Sequence, residues 1–239
     1  MELQIVDDYT AMSHAAADRV AAQLAAKPDA NIMLATGSTP IGLYKELAVR
    51  VARGEIDFSA VTVFQLDDFL GVPADDPRSL YAWLSEHAFV PLGIGDDQVV
   101  VLAGDAPDPI AACRSYDAAV AAAGGIDLAV LGIGVNGHIG WNEPPAAADA
   151  PSRVVDLTPS SLAGSASAWG GLEHVPPQAI AAGMPVLLGA QTILLIAAGS
   201  SKHAIIHATV AGPISPENPA SYLQQHANTT VIVDCAAWE

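Results

Sequence analysis

The sequence predicts an α/β protein: a doubly wound, mostly parallel sheet with helices on both faces, a Rossmann-like three-layer arrangement. Three observations carry this. Apolar runs of strand length alternate with helical stretches along the whole chain, the pattern left by repeated strand–helix–strand crossovers. The runs LAVLGI (Leu128–Ile133) and ILLIAA (Ile193–Ala198) are apolar without alternation, as strands covered on both faces must be. Finally, 51% of the 239 residues are apolar, enough to bury the core of one large α/β domain. Residues 1–239 are therefore read as a single domain.

In chain order, Leu3–Val6 reads as a strand and Ala11–Ala26 as a helix, rich in alanine and free of Gly and Pro. Asn31–Ala35 is a strand and Pro40–Arg53 a helix. Val61–Leu66 is a strand, followed by a helix over Pro77–Ala88 with proline at its first position, where a missing N–H costs nothing. A strand at Val99–Leu102, a helix at Pro109–Ala123 and a strand at Asp127–Ile133 come next. Val154–Leu157, Ile193–Ala197 and Thr230–Val233 are further strands, Lys202–Val210 a helix and Pro219–Gln225 a short one. The Ala/Pro-rich stretch Pro144–Ser152 reads as a mobile loop. Ala163–Pro177, rich in Ser and Gly and poorly periodic, reads as part of a lid.

Twenty-six acids against nine bases give a formal charge of −17. That field opposes nucleic acid and anionic membranes. An anionic ligand would need a local positive site made of backbone N–H groups and a few bases. Cys113 and Cys235 are too few for a disulfide framework. No apolar stretch reaches the roughly 20 residues that span a bilayer, and Met1–Thr10 lacks a signal pattern. The expectation is a cytoplasmic protein.

Ligands of open α/β sheets sit beyond the carboxyl ends of the strands, and four constellations fall there. In Ala35-Thr36-Gly37-Ser38-Thr39-Pro40, Gly37 lets the backbone approach closely. Ser38 and Thr39 can either cap the next helix or face an anion at its N-terminus. In Leu66-Asp67-Asp68-Phe69, one acid can serve as a general base while the other anchors a loop; the alternative is a solvated turn. The run Gly132-Ile133-Gly134-Val135-Asn136-Gly137-His138-Ile139-Gly140-Trp141-Asn142-Glu143-Pro144 packs four polar groups into a glycine frame. There His138 is the natural proton carrier, and Glu143 can orient it or hold it charged. In Ala198-Gly199-Ser200-Ser201-Lys202, the cation falls in the first helical turn, a placement that opposes the helix dipole unless an anion joins it.

Two other readings are disfavoured. His138 has no His or Cys partner at metal-ligand spacing, so no metal is expected. Residues 132–137 formally fit G-x-G-x-x-G, but they run into Trp-Asn-Glu-Pro rather than a clear helix start.

Together, ATGSTPIGLYKEL, FQLDDFLGV with DPRSLYAWL, and LGIGVNGHIGWNEP resemble the glucosamine-6-phosphate deaminase family in order and spacing. The stretches VPPQAI, ILLIAAGSSK and NPASYLQQH extend the resemblance over nearly the whole chain. It implies an amino-sugar phosphate as substrate, converted to a keto-sugar phosphate and ammonia without a cofactor, by a monomer or homo-oligomer. It further implies Asp67 as the base that moves a proton between C2 and C1, with Asp68 beside it. His138 would help open the sugar ring, held by Glu143, with Asn136 in the same catalytic group. Thr36, Gly37, Ser38, Thr39, Gly137 and Lys202 would line the substrate and phosphate site. One departure stands out: the family's arginine in an Asn-Ala-Arg-aromatic segment is matched by Ser167, and Thr158–His174 holds no Lys or Arg. A changed phosphate requirement, a lactonase-like hydrolase and a non-catalytic sugar-phosphate sensor are the alternatives.

Overall fold

The computed structural model describes residues 1–239. Ten strands and nine α-helices follow in the order β1 (Glu2–Val6), α1 (Tyr9–Ala26), β2 (Asn31–Leu34), α2 (Ile41–Ala52), β3 (Thr62–Gln65), β4 (Asp67–Phe69), α3 (Leu80–Leu84), α4 (Val90–Leu92), β5 (Val99–Val100), α5 (Pro109–Ala122) and β6 (Leu128–Leu131). Then come β7 (Arg153–Asp156), α6 (Pro159–Trp169), β8 (Gln178–Ala181), α7 (Met184–Leu188), β9 (Thr192–Ala197), α8 (His203–Ala211), β10 (Thr229–Asp234) and α9 (Cys235–Trp238). A seven-stranded sheet has the order β1-β10-β9-β6-β2-β3-β5, and all its pairings are parallel.

Alternate side chains of the central strands enter two separate cores. Met33, Phe64, Ala129, Leu131, Ile193, Leu195, Val231 and Val233 face α5, α7 and α8. Ile32, Leu34, Val63, Leu128, Val130, Leu194, Ile196 and Ile232 face α1, α2 and the α3–α4 segment. This is the three-layer arrangement that the unbroken apolar strands predict.

Helix starts follow local chemistry. Asp8 and Asp108 cap α1 and α5 by accepting from Ala11 N and Ala111 N, at 2.8 and 2.9 Å. α3 begins at Leu80, three residues later than the proline rule predicts. Ser79 caps it from within, accepting from Ala82 N at 2.9 Å. A π turn over Ser85–Phe89 joins α3 to α4, just before Pro91, which has no N–H to continue the ladder.

Two features depart from expectation. A second, antiparallel sheet of order β4-β8-β7 stands beside the first; β4 and β8 were not foreseen as strands. Residues 163–169, read as lid, belong to α6, which starts with Pro159 at its first position and ends at Gly170 (φ 71°). Phe69, Val72, Leu157, Trp169, Val175 and Ala179 form a small core between this sheet and α6. Within Pro144–Ser152 the chain is irregular, yet Ala146 is buried and donates to Pro216 O at 3.0 Å. Lys202 closes a 3₁₀ turn, and α8 proper begins at His203. No helix is long and apolar enough to cross a membrane.

Candidate active site

From β2 the sheet runs outward through β3 to β5, and from β6 through β9 to β10. The loops after β2 and β6 therefore diverge at a topological switch point, where a crevice is expected. A cavity of about 470 Å³ lies among these strand ends. Its walls include Thr36–Thr39 after β2, Asp67 after β3, the loop after β6 with Asn136 and His138, and Lys202 after β9. Arg78 and the Ser161, Ser165 and Trp169 face of α6 complete the lining.

The adjacent acids have opposite surroundings. Asp67 is 4% exposed. Its Oδ2 accepts from Trp141 N at 2.7 Å, while its buried Oδ1 has no partner. Burial, and the charge of Asp68, push its pKa up to about 7, against a smaller downward pull from the Trp141 N–H. Asp68 does not line the cavity. Its oxygens accept from Phe69 N, Leu80 N, Tyr81 N and Gln65 Nε2 at 2.8–3.1 Å. It thus fastens β4 to the start of α3, and these bonds offset part of the rise that burial imposes on its pKa. β4 supplies the reason for the split: successive strand residues point to opposite faces.

On the loop after β6, His138 Nδ1 lies 3.4 Å from Glu143 Oε1 and 3.3 Å from Ser161 Oγ. Nε2 has no protein partner. Glu143 is buried, and its Oε2 accepts from Asn136 Nδ2 at 2.6 Å and Thr158 Oγ1 at 3.0 Å. Burial pushes the Glu143 carboxyl up, but His138, Ser161 and Thr158 together outweigh it and hold the carboxyl below its ordinary range. Asn136 also accepts the His138 N–H, at 3.2 Å. Gly137 (φ 90°) packs against Asn218, where a Cβ would overlap the Asn218 amide, and it does not line the cavity. Asn142 binds Ile139 O and Ala182 O and accepts from Arg153, bracing the loop against the smaller sheet.

At the other end, Gly37 adopts φ 96°, a conformation that favours glycine. α2 has Pro40 as its N-cap, without a side-chain cap bond, so Ser38 and Thr39 do not cap. The N–H groups of Gly37, Ser38 and Thr39 make no hydrogen bond within the protein. Lys202 Nζ donates to Ile133 O at 2.7 Å, and burial lowers its pKa. Ser167 is exposed and does not line the cavity. No three His, Cys, Asp or Glu side chains are grouped to hold a metal ion.

The structure thus gathers Asp67, Asn136, His138, Thr36–Thr39 and Lys202 around one cavity, with Glu143 directly behind His138. It also brings in groups that sequence reasoning missed: Thr158, Ser161, Trp169 and Arg78. The Thr158-Pro159 pair, a helix-start signature, was the available signal for the first two.

The sequence model of the glucosamine-6-phosphate isomerases/6-phosphogluconolactonase family matches residues 7–232. The glucosamine-6-phosphate deaminases of Halothermothrix orenii and Streptomyces avermitilis are 42% and 41% identical to this chain. Those alignments cover 98% and 99% of it, and 97% and 91% of the relatives. A solved monomeric glucosamine-6-phosphate deaminase superposes with a TM-score of 0.96 at 33% identity, over 99% of this chain and 98% of that one. The 6-phosphogluconolactonase of Trypanosoma brucei, 18% identical with a TM-score of 0.78 over 99% and 97% of the two chains, shares the fold. With the match extending over nearly its whole length, this chain belongs to the glucosamine-6-phosphate isomerase/6-phosphogluconolactonase family.

Proposed function

We propose that this chain is a glucosamine-6-phosphate deaminase, converting glucosamine-6-phosphate and water into fructose-6-phosphate and ammonia. The observation that carries the reading is the pairing inside one cavity of two proton carriers. Asp67 is a carboxylate poised near neutrality with one free oxygen. His138 is an imidazole whose Nδ1 faces Glu143 Oε1 at 3.4 Å and Ser161 Oγ at 3.3 Å and whose Nε2 has no protein partner. A general base works best when its pKa lies near the working pH.

His138 Nε2 takes the proton of the anomeric hydroxyl and returns one to the ring oxygen as the C1–O5 bond breaks, leaving an open-chain aldehyde. Glu143, held ionised, stabilises the imidazolium that forms in between. The carboxylate of Asp67 then removes the C2 proton, the C2–H electron pair forms the C1=C2 bond, and the C1 oxygen takes a proton from the C2 ammonium to give a neutral enolamine. Return of a proton to C1 leaves a C2 iminium. Water adds to C2, ammonia departs with the C–N electron pair, and the C2 ketone remains. No net electron transfer occurs. Asn136 orients Glu143 through its amide, which has no acidic proton to move at neutral pH.

At the opposite end, the free N–H groups of Gly37, Ser38 and Thr39, the open start of α2 and the Lys202 ammonium suit the 6-phosphate. The decisive measurement is ammonia release by the purified protein from glucosamine-6-phosphate, with glucosamine and galactosamine-6-phosphate alongside. Release from the first is expected; release from none of them refutes the proposal.

A further inference from the structure

An overall charge of −17 repels a phosphorylated sugar. Only two lysine or arginine side chains line the cavity, Lys202 and Arg78. The cavity-facing turns of α6 carry Ser160, Ser161, Gly164, Ser165 and Ala168, none of them cationic. Arg78 comes instead from the segment before α3 and lies on α6 from outside, its guanidinium 4.5 Å from the Trp169 ring centroid.

The side chain is held in place before any ligand arrives. Nε and Nη2 donate to Asp76 at 2.9 and 2.6 Å, and the Arg78 main-chain N–H donates to the same carboxylate at 2.9 Å. Asp76 is pulled down to about 2 by this pairing, so the clamp is ionised at any physiological pH. The Nη1 edge has no protein partner. A guanidinium with one edge fixed, one face stacked and the remaining edge free presents parallel N–H donors to an oxyanion.

Arg78 lines the same cavity as Thr36–Thr39, and α3, which follows it, packs against α2. Trp83, one turn into α3, also lines the cavity and packs edge-on against Tyr44 of α2, with centroids 6.3 Å apart. Tyr44 in turn donates its hydroxyl to Ala35 O. The starts of α2 and α3 are thereby held together.

We propose that Arg78 is a second cation for the 6-phosphate and makes the site specific for phosphorylated substrates. The proposal rests on the deaminase reading for the identity of the sugar, but its test does not depend on turnover. Calorimetric titration of fructose-6-phosphate into the wild type, Arg78→Ala and Arg78→Lys is the experiment. The alanine variant should bind roughly 10- to 100-fold more weakly, and the lysine variant should recover part of the loss. In kinetics with glucosamine-6-phosphate, Arg78→Ala should raise KM by a similar factor with kcat nearly unchanged, the mark of lost uniform binding.

Unchanged fructose-6-phosphate affinity in Arg78→Ala overturns the proposal, as does a fall in kcat alone, which would leave Arg78 only as a brace for Trp169. No fructose-6-phosphate binding by the wild type would also overturn it. Binding that depends on Arg78 without ammonia release by the wild type would sustain the Arg78 assignment while removing the deaminase reading.

Discussion

At the Asp67–His138 end of the cavity, Asp67, Asn136, His138 and Glu143 are each tied to a neighbour through at least one polar atom. Around Thr36–Thr39 the N–H groups of Gly37, Ser38 and Thr39 have no protein partner at all. In the proposed reaction the contrast follows from what each end has to do. Moving a proton requires a group whose pKa and direction are already set, and burial against fixed donors sets both. Holding an anion requires donors that the protein leaves unused, at a helix start with no side-chain cap. In a chain with 26 acids and nine bases, carboxylates are plentiful and donors for an anion are scarce. The second end is therefore built largely from backbone.

Substitutions can break this division, the largest effect first. Asp67→Asn removes the base from the engaged end and should lower kcat by roughly 10³-fold while fructose-6-phosphate affinity stays within a few fold. Comparable turnover in the variant would remove Asp67 from the mechanism. The same change should stabilise the fold at high pH. The folded pKa of about 7 exceeds the ordinary 3.8, so ionised Asp67 costs stability as pH rises from one value to the other. Some three units at about 1.36 kcal/mol each amount to on the order of 4 kcal/mol. Denaturant midpoints should favour Asp67→Asn at pH 8 and converge with wild type near pH 4.

Glu143→Gln should cost roughly 10²-fold in kcat with little change in KM, because His138 loses the carboxylate beside Nδ1 that stabilises the imidazolium formed during ring opening. A pure KM effect would move Glu143 to the binding end. Lys202→Ala should do the reverse, raising KM about 10- to 100-fold at near-constant kcat.

Asp68→Asn sharpens the comparison most finely, since Asp68 itself does not line the cavity. Chemical denaturation should register a loss of about 1–3 kcal/mol from weakened bonds to α3. In wild type, kcat/KM should rise with pH through about 7 as Asp67 ionises. Without the Asp68 charge that limb should move to lower pH; an unmoved limb would show that burial alone sets the base.

Much of the fold was legible because the central strands are local, unbroken apolar runs between helical stretches. The smaller sheet was not. β4 is three residues long and reads Asp-Asp-Phe, and its partner β8 lies more than a hundred positions away, so no local pattern marks it. α6 was hidden by its Ser and Gly content, which weakens helix propensity; Phe69, Leu157 and Trp169 stabilise it through tertiary packing. The start of α3 moved for a similar reason: Asp68, twelve residues earlier, binds its first free N–H groups. In the candidate site, the glycine-framed run around His138 could be read from spacing. Which of two neighbouring aspartates faces the cavity could not, since that depends on a strand only tertiary pairing creates. Arg78 was unreadable for the same cause: its Trp169 contact joins two distant segments.

Between β3 and β4 the chain passes from the parallel sheet to the antiparallel one through Leu66 alone. Asp67 is the first residue beyond that joint, in register with Ala181 of β8, and Leu66 O accepts from Ala182 N at 2.9 Å. In engineering terms Leu66 is a pivot. Reshaping this one buried side chain would re-aim the carboxylate relative to the bound sugar without altering any group that lines the anion end. For anyone seeking to retune the reaction towards a differently configured amino sugar, that joint, itself part of the cavity wall, is a handle confined to one residue.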